Sequence, residues 1–159
     1  MIMNLTLYID GDAFPNGLKA ILFRAIERFA LPTFVISNKR INIGNSNQIT
    51  YIIVDAGPDE ADQRIIEMVK AGDLIITADI PLADSVITKK AYALDHRGKF
   101  FSEDNVKYYL SMRNLMQELR DSGMETKGPA AFSQKDAHEF ANQLNKFLTE
   151  QQRLGINGN

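Results

Sequence analysis

The chain has 159 residues, carries Lys+Arg 18 against Asp+Glu 20 for a net charge of −2, and contains no cysteine. That length suits one domain with a core large enough to need no staples. Disulfides, thiolate zinc sites and cysteine nucleophiles are excluded, and the basic excess of a dedicated nucleic-acid binder is missing.

The opening MIMNLTLYID has no basic n-region, so it is not expected to act as a signal peptide. No apolar run approaches the ~18 residues of a membrane span, so the protein is expected to be cytoplasmic with no membrane contact. A first strand is expected over Met3–Ile9, stopped by the turn signal Asp10-Gly11-Asp12. A helix follows from Pro15, with Leu18, Ile21, Leu22, Ala25, Ile26 and Phe29 at helical spacing. Pro32 introduces a second strand, Thr33–Ile36, and the polar stretch Asn38–Gln48 reads as a loop. The third strand, Tyr51–Val54, is continuously apolar, as a strand covered on both faces should be. The Asn38–Gln48 loop is short for a parallel crossover, which leaves strands two and three free to be antiparallel.

A helix over Asp59–Val69 has acids in its first turn and is stopped by Gly72-Asp73. The fourth strand is Leu74–Thr77, a helix runs from Pro81 to Lys90, and a short strand, Ala91–Leu94, ends at Asp95. Ser102 is placed to cap a long helix to Arg120 with an apolar face of Val106, Tyr109, Leu110, Met112, Leu115, Met116 and Leu119. After a loop over Gly123–Ala131, Ser133 starts a last helix to Leu148. Residues 1–150 thus form one domain, and 151–159 read as a mobile polar tail. Alternating apolar strands and helices predict an α/β fold, a mostly parallel sheet of about five strands with helices on both faces.

Aspartates recur where the strands run out: Asp10 and Asp12, then Asp55, Asp79 and Asp95. In open α/β sheets that edge is where ligands bind. Asp59 and Asp62, three apart at the start of a helix, belong to the same edge. Converging carboxylates repel unless a cation offsets them or some stay protonated. With no Cys and no paired His, the donors favour Mg²⁺ or Mn²⁺, and metal-assisted phosphodiester hydrolysis is the chemistry that uses such an edge best. Aspartate is also common in turns and helix caps. Asp73 is read that way, and a cap is the competing reading for Asp59.

Six segments together resemble the uncharacterised bacterial YaiI/YqxD family. They are Tyr8-Ile9-Asp10-Gly11-Asp12-Ala13, Gly57-Pro58-Asp59-Glu60-Ala61-Asp62, Gly72 through Ala83, Ala93-Leu94-Asp95-His96-Arg97-Gly98, Met112-Arg113-Asn114-Leu115-Met116 and Thr126-Lys127-Gly128-Pro129. That family more distantly resembles PIN-like nuclease domains, typically Mg²⁺- or Mn²⁺-dependent ribonucleases. The resemblance implies a PIN-like three-layer sandwich. It also implies Asp10, Asp62 and Asp79 as metal-binding and catalytic residues, with Asp12 and Asp59 as weaker candidates, and RNA or another phosphate-containing ligand as partner. The chain departs from the family at Phe14, where Cys is common, and at Gln63, where a further Asp is frequent; the latter removes one possible ligand.

Arg97 offers bidentate donors for a phosphate, with an ion pair as the competing reading. Arg113, beside the apolar stripe of the long helix, is a second binding candidate, with a snorkelling surface Arg as the alternative. His96 is suited to general base work but reads first as a surface loop residue. Thr77 and Ser37 end strands where they can orient a carboxylate or a water, and the Gly128-Pro129 loop could cover the edge. The leading functional expectation is a metal-dependent ribonuclease. The alternative is a non-catalytic module binding RNA, nucleotide or a protein partner at the same edge, and an Asp-x-Asp phosphatase built on Asp10-Gly11-Asp12 ranks last.

Overall fold

The computed structural model describes residues 4–128 and 130–157. Its strands are β1 (Leu7–Asp10), β2 (Thr33–Ser37), β3 (Ile49–Ile53), β4 (Leu74–Ile76), β5 (Tyr92–Leu94) and β6 (Phe100–Phe101). Its helices are α1 (Lys19–Phe29), preceded by a 3-10 turn at Asn16–Leu18, α2 (Glu60–Met68), α3 (Ile80–Thr88), α4 (Glu103–Asp121) and α5 (Gln134–Asn157). Met3 and Pro129, placed above in the first strand and in the covering loop, lie outside the described residues, as do Gly158 and Asn159.

The strands form one six-stranded sheet in the order β3-β2-β1-β4-β5-β6. All neighbours are parallel except β5 and β6, which pair antiparallel. Side chains alternate across this sheet and make two cores. Leu7 and Ile9 pack with Leu22, Ile26 and Phe29 of α1 and with Phe140, Leu144 and Leu148 of α5. Tyr8, Ile75 and Ala93 pack on the other face with Ile65 of α2, Leu82 and Val86 of α3 and Val106 of α4. The result is the expected α/β three-layer sandwich. Each fully buried Leu or Ile contributes about 1.5–3 kcal/mol, so both layers are fastened by many such contacts.

Strand order reverses between β1 and β4. From β1 the chain moves outward through β2 to β3, then returns to the far side of β1 as β4. The loops leaving β1 and β4 therefore diverge, and the crevice between them is the ligand position of doubly wound sheets.

Several expectations change. Strands β2 and β3 are parallel, from Thr33 opposite Ile49 to Ser37 opposite Ile53. The connecting loop replaces a crossover helix by burying Ile43 in the α1-side core, with Ile41 packed against it. The Tyr51 hydroxyl steadies this loop, accepting from the Ile43 N–H at 3.1 Å and donating to the Gly44 carbonyl at 2.6 Å. Despite its apolar run, β3 is an edge strand, with Ile53 56% exposed. A sixth strand, β6, was not anticipated, because two residues are too few to show a period. The stripe on α4 is only partly covered: Val106 is buried and Leu115 is exposed. Helix α5 runs past Leu148 to Asn157, so residues 151–157 of the expected tail are helical. No helix among the described residues is long and apolar enough to cross a membrane.

Candidate functional site

Register explains how the site forms. Ile9 of β1 lies opposite Ile76 of β4, so the next step along each strand brings Asp10 beside Thr77. The Thr77 hydroxyl, fully buried, donates to Asp10 Oδ2 at 2.8 Å and accepts the Asp79 N–H at 3.0 Å. With its acceptor side taken by Asp79, the hydroxyl proton is committed to Asp10. Asp10 Oδ1 accepts the Asp12 N–H at 3.3 Å. Asp79 caps α3, its Oδ1 accepting the Leu82 N–H at 3.0 Å, and Pro81 sits in the first turn, where its missing N–H is not needed.

Asp62 reaches the same point from the first turn of α2. Its carboxyl is pushed up to about 7, first by burial, then by the charges of Asp79 and Asp10, a hydrogen bond to Asp79 and the charge of Asp59. The Asp10 carboxyl is pushed up to about 6 by burial; the Thr77 hydroxyl and the Asp12 N–H oppose that rise, and the charges of Asp12 and Asp79 add to it. Asp10, Asp62 and Asp79 thus share one electrostatic field, and near neutral pH Asp62 keeps a proton part of the time. They line an open cavity of about 450 Å³ together with Asp12, Asn38, Asp59 and His96.

The remaining residues separate into those at the cavity and those elsewhere. Asp12 lines the cavity, but its Oδ1 accepts the Asn38 N–H at 3.0 Å and so fastens the end of β1 to the end of β2. Gly11 permits that approach: a Cβ there would stand 2.8 Å from the Ser37 Cβ. Asp59 precedes α2 in the left-handed region (φ 72) and makes no side-chain cap bond, so the capping reading does not hold. Asp55 lies in a different groove, with Glu60, Gln63, Arg64 and Glu67. Gln63, at the position where the family often has Asp, lines that second groove too. Asp95 closes its own turn, accepting the N–H groups of Arg97 at 2.9 Å and Lys99 at 2.8 Å. Asp73 is structural: it accepts the N–H groups of Thr6 at 3.0 Å and Lys70 at 2.8 Å.

Neither arginine lines the cavity. Arg97 pairs with Asp136 of α5 at 2.7 Å and donates to the Ala130 carbonyl, so its guanidinium clamps two parts of the fold. Arg113 is exposed on α4 and makes no salt bridge or side-chain hydrogen bond among the described residues. His96, read above as a surface residue, is instead partly buried at the cavity wall. Its ring stands edge-on to Phe14, 5.6 Å between centroids. Burial, the largest influence, lowers its pKa, as does the Arg97 charge, while Asp95 raises it.

The donor set suits a hard divalent cation: oxygens of Asp10, Asp62 and Asp79 with no thiolate. Among the described residues, no three Asp, Glu or His side chains stand as a ready-made metal cage.

A family model described as "Uncharacterized BCR, YaiI/YqxD family" matches residues 8–150. A UPF0178 protein of Sulfurimonas denitrificans is 63% identical over 146 residues, covering 92% of this chain and 97% of its own. One from a Sulfurovum strain is 62% identical over 92% of this chain and 99% of its own. A more divergent UPF0178 protein, from a Janthinobacterium strain, is 44% identical over 95% of this chain and all of its own. No solved structure gives a significant match.

Proposed function

We propose that this chain, which belongs to the uncharacterised YaiI/YqxD family, is a Mg²⁺- or Mn²⁺-dependent phosphodiesterase of PIN-like type acting on RNA. The observation that carries the reading is the convergence of Asp10, Asp62 and Asp79 on one cavity at the switch point, where burial first and then the charges of Asp79 and Asp10 raise Asp62 to about 7. Asp10, Asp62 and Asp79 would hold the ion, with Asp59 at the rim. When bound, the metal supplies Lewis acidity toward a phosphoryl oxygen and acidifies a water. Thr77, just past β4, keeps one Asp10 oxygen and the start of α3 in fixed relation through its hydroxyl. A cation held there would favour the ionised form of Asp62 by offsetting the charges of Asp79 and Asp10, against the burial that chiefly raises its pKa.

One observation favours a non-catalytic module instead: no Lys or Arg lines the cavity, so nothing cationic from the chain itself meets a developing phosphorane charge. Cleavage of single-stranded RNA in Mn²⁺ decides between the readings. The nuclease reading expects cleavage that falls at least about a hundredfold in both Asp10→Asn and Asp79→Asn. Metal binding without turnover supports the module. Hydrolysis of a chromogenic phosphate ester that depends on Asp10 alone supports the Asp-x-Asp phosphatase.

A further inference from the structure

Beside β2 and β3, the Asn38–Gln48 stretch leaves an open groove of about 470 Å³, within the size range of small-ligand sites. Its walls are apolar at Val35, Ile41 and Ile53, and its polar groups include Arg40 and Asn42, with the Tyr51 ring alongside. Among the described residues its lining has one cation, Arg40, and no Asp or Glu. Arg40 is exposed and makes no salt bridge or side-chain hydrogen bond among the described residues. The acidic cavity is the reverse, with carboxylates and no Lys or Arg.

The two hollows meet at the end of β2. Ser37 lines the groove, and Asn38, the next residue, lines the acidic cavity. Gly11 lets the chain close up behind them, since a Cβ there would stand 2.8 Å from the Ser37 Cβ and 3.2 Å from the Ile41 Cγ2. A ligand that extends from the cavity along the end of β2 therefore enters the groove. There it meets a fixed aromatic ring. The Tyr51 hydroxyl is already engaged by the Ile43 N–H and the Gly44 carbonyl. Gly44 in turn seats the loop on α1, where a Cβ would fall 2.0 Å from the Phe23 ring. The Tyr51 side chain is nevertheless 38% exposed. With its hydroxyl satisfied, what it offers a ligand is the ring, and a ring already held loses little freedom on binding. Unpaired bases stack on such rings, and phosphates pair with a free guanidinium.

We propose that this groove takes an unpaired base of single-stranded RNA whose backbone continues into the acidic cavity, the base stacking on Tyr51 and Arg40 pairing with a backbone phosphate. This rests on RNA being the ligand of the adjoining cavity and specifies its form, since a duplex has no free base to insert. The groove thus supplies the positive charge that the cavity lacks. The base also covers Ile53, an apolar side chain otherwise left open on an edge strand.

The test is fluorescence anisotropy of end-labelled decauridylate with the full chain at low salt in EDTA, where cleavage does not intervene; Mn²⁺ binding is measured separately by calorimetry. Tyr51→Phe and Tyr51→Leu both remove the hydroxyl that anchors the loop, but only Leu removes the ring. Tyr51→Leu is expected to weaken decauridylate binding about tenfold, and Tyr51→Phe to stay within about twofold of the parent. Arg40→Gln should weaken binding and reduce the slope of log affinity against log salt by about 0.7. Duplex RNA of the same length should bind without sensitivity to Tyr51→Leu. Decauridylate binding with these sensitivities supports the assignment whether or not the chain binds Mn²⁺, so a failure of the metal reading is seen apart from it. A parent that does not bind decauridylate overturns the assignment. Equal losses in Tyr51→Phe and Tyr51→Leu, or none in Tyr51→Leu and Arg40→Gln, overturn it while Mn²⁺ binding leaves the metal reading standing. Equal sensitivity of the duplex overturns it too. A parent that sediments as a dimer and is made monomeric by Ile53→Asp also overturns it, since the groove is then covered by a second copy of the chain.

Discussion

Thr77 holds the site together more directly than any carboxylate does. One buried hydroxyl accepts from Asp79 and donates to Asp10, so Thr77→Val strands both partners at once. The variant is expected to unfold about 2 kcal/mol more easily in urea. It should also raise the Asp10 carboxyl further, because the Thr77 hydrogen bond is among the influences holding that value down. A carboxyl-carbon NMR titration reads that rise directly, and an Asp10 titration unmoved in the variant argues against the hydrogen bond. Asp10, Asp62 and Asp79 were legible as candidates because each ends a strand or opens a helix. The partnership of Thr77 with Asp10 was not, since it spans 67 positions and needs the β1–β4 register. For Arg97 the ion pair was one of the readings open in the sequence, but its partner Asp136, 39 residues away, was not visible there.

At the scale of elements, most of the helices were readable from caps and spacing. Ser102 forms a full capping box with Asn105, and α3 begins at Ile80, one residue before the start that Pro81 suggests. Strand β3 was misread because a continuous apolar run is the same on paper whether or not neighbours cover it. Its exposure follows from strand order, which pattern alone does not encode. The β5–β6 turn provides the sharpest test at this scale. Gly98→Ala adds a methyl group against the Glu139 backbone at a positive φ, and both effects oppose folding. A loss of about 2–4 kcal/mol is expected, with faster amide exchange in the turn and in the first half of α5. A change below about 0.5 kcal/mol would mean the turn is not pinned to α5.

For the whole molecule, the acidic cluster sets a pH dependence of unusual sign. Asp10 and Asp62 have folded-state values of about 6 and about 7, above the ordinary carboxyl value of 3.8. Between that ordinary value and 7 the folded chain holds more protons than the unfolded chain. The stability these groups contribute is therefore full in acid and is lost as pH rises toward 7. Urea midpoints are expected to fall between pH 5 and pH 8. Asp62→Asn, which mimics the protonated form, should flatten that fall and be more stable than the parent at pH 8. A parent midpoint that rises over the same interval would argue against raised carboxyls. The same cluster links metal to proton, because a cation and a proton compete for Asp62.

That competition allows the most direct test of the central claim, that the β1–β4 crevice holds a divalent cation between Asp10, Asp62 and Asp79. Mn²⁺ is titrated into the protein by calorimetry at pH 6 and pH 8 in buffers of different ionisation enthalpy. The account predicts one ion per chain, tighter binding at pH 8, proton release at pH 6, and loss of binding in Asp10→Asn and Asp79→Asn. Absence of binding, or an affinity that neither pH nor those two substitutions changes, would contradict it.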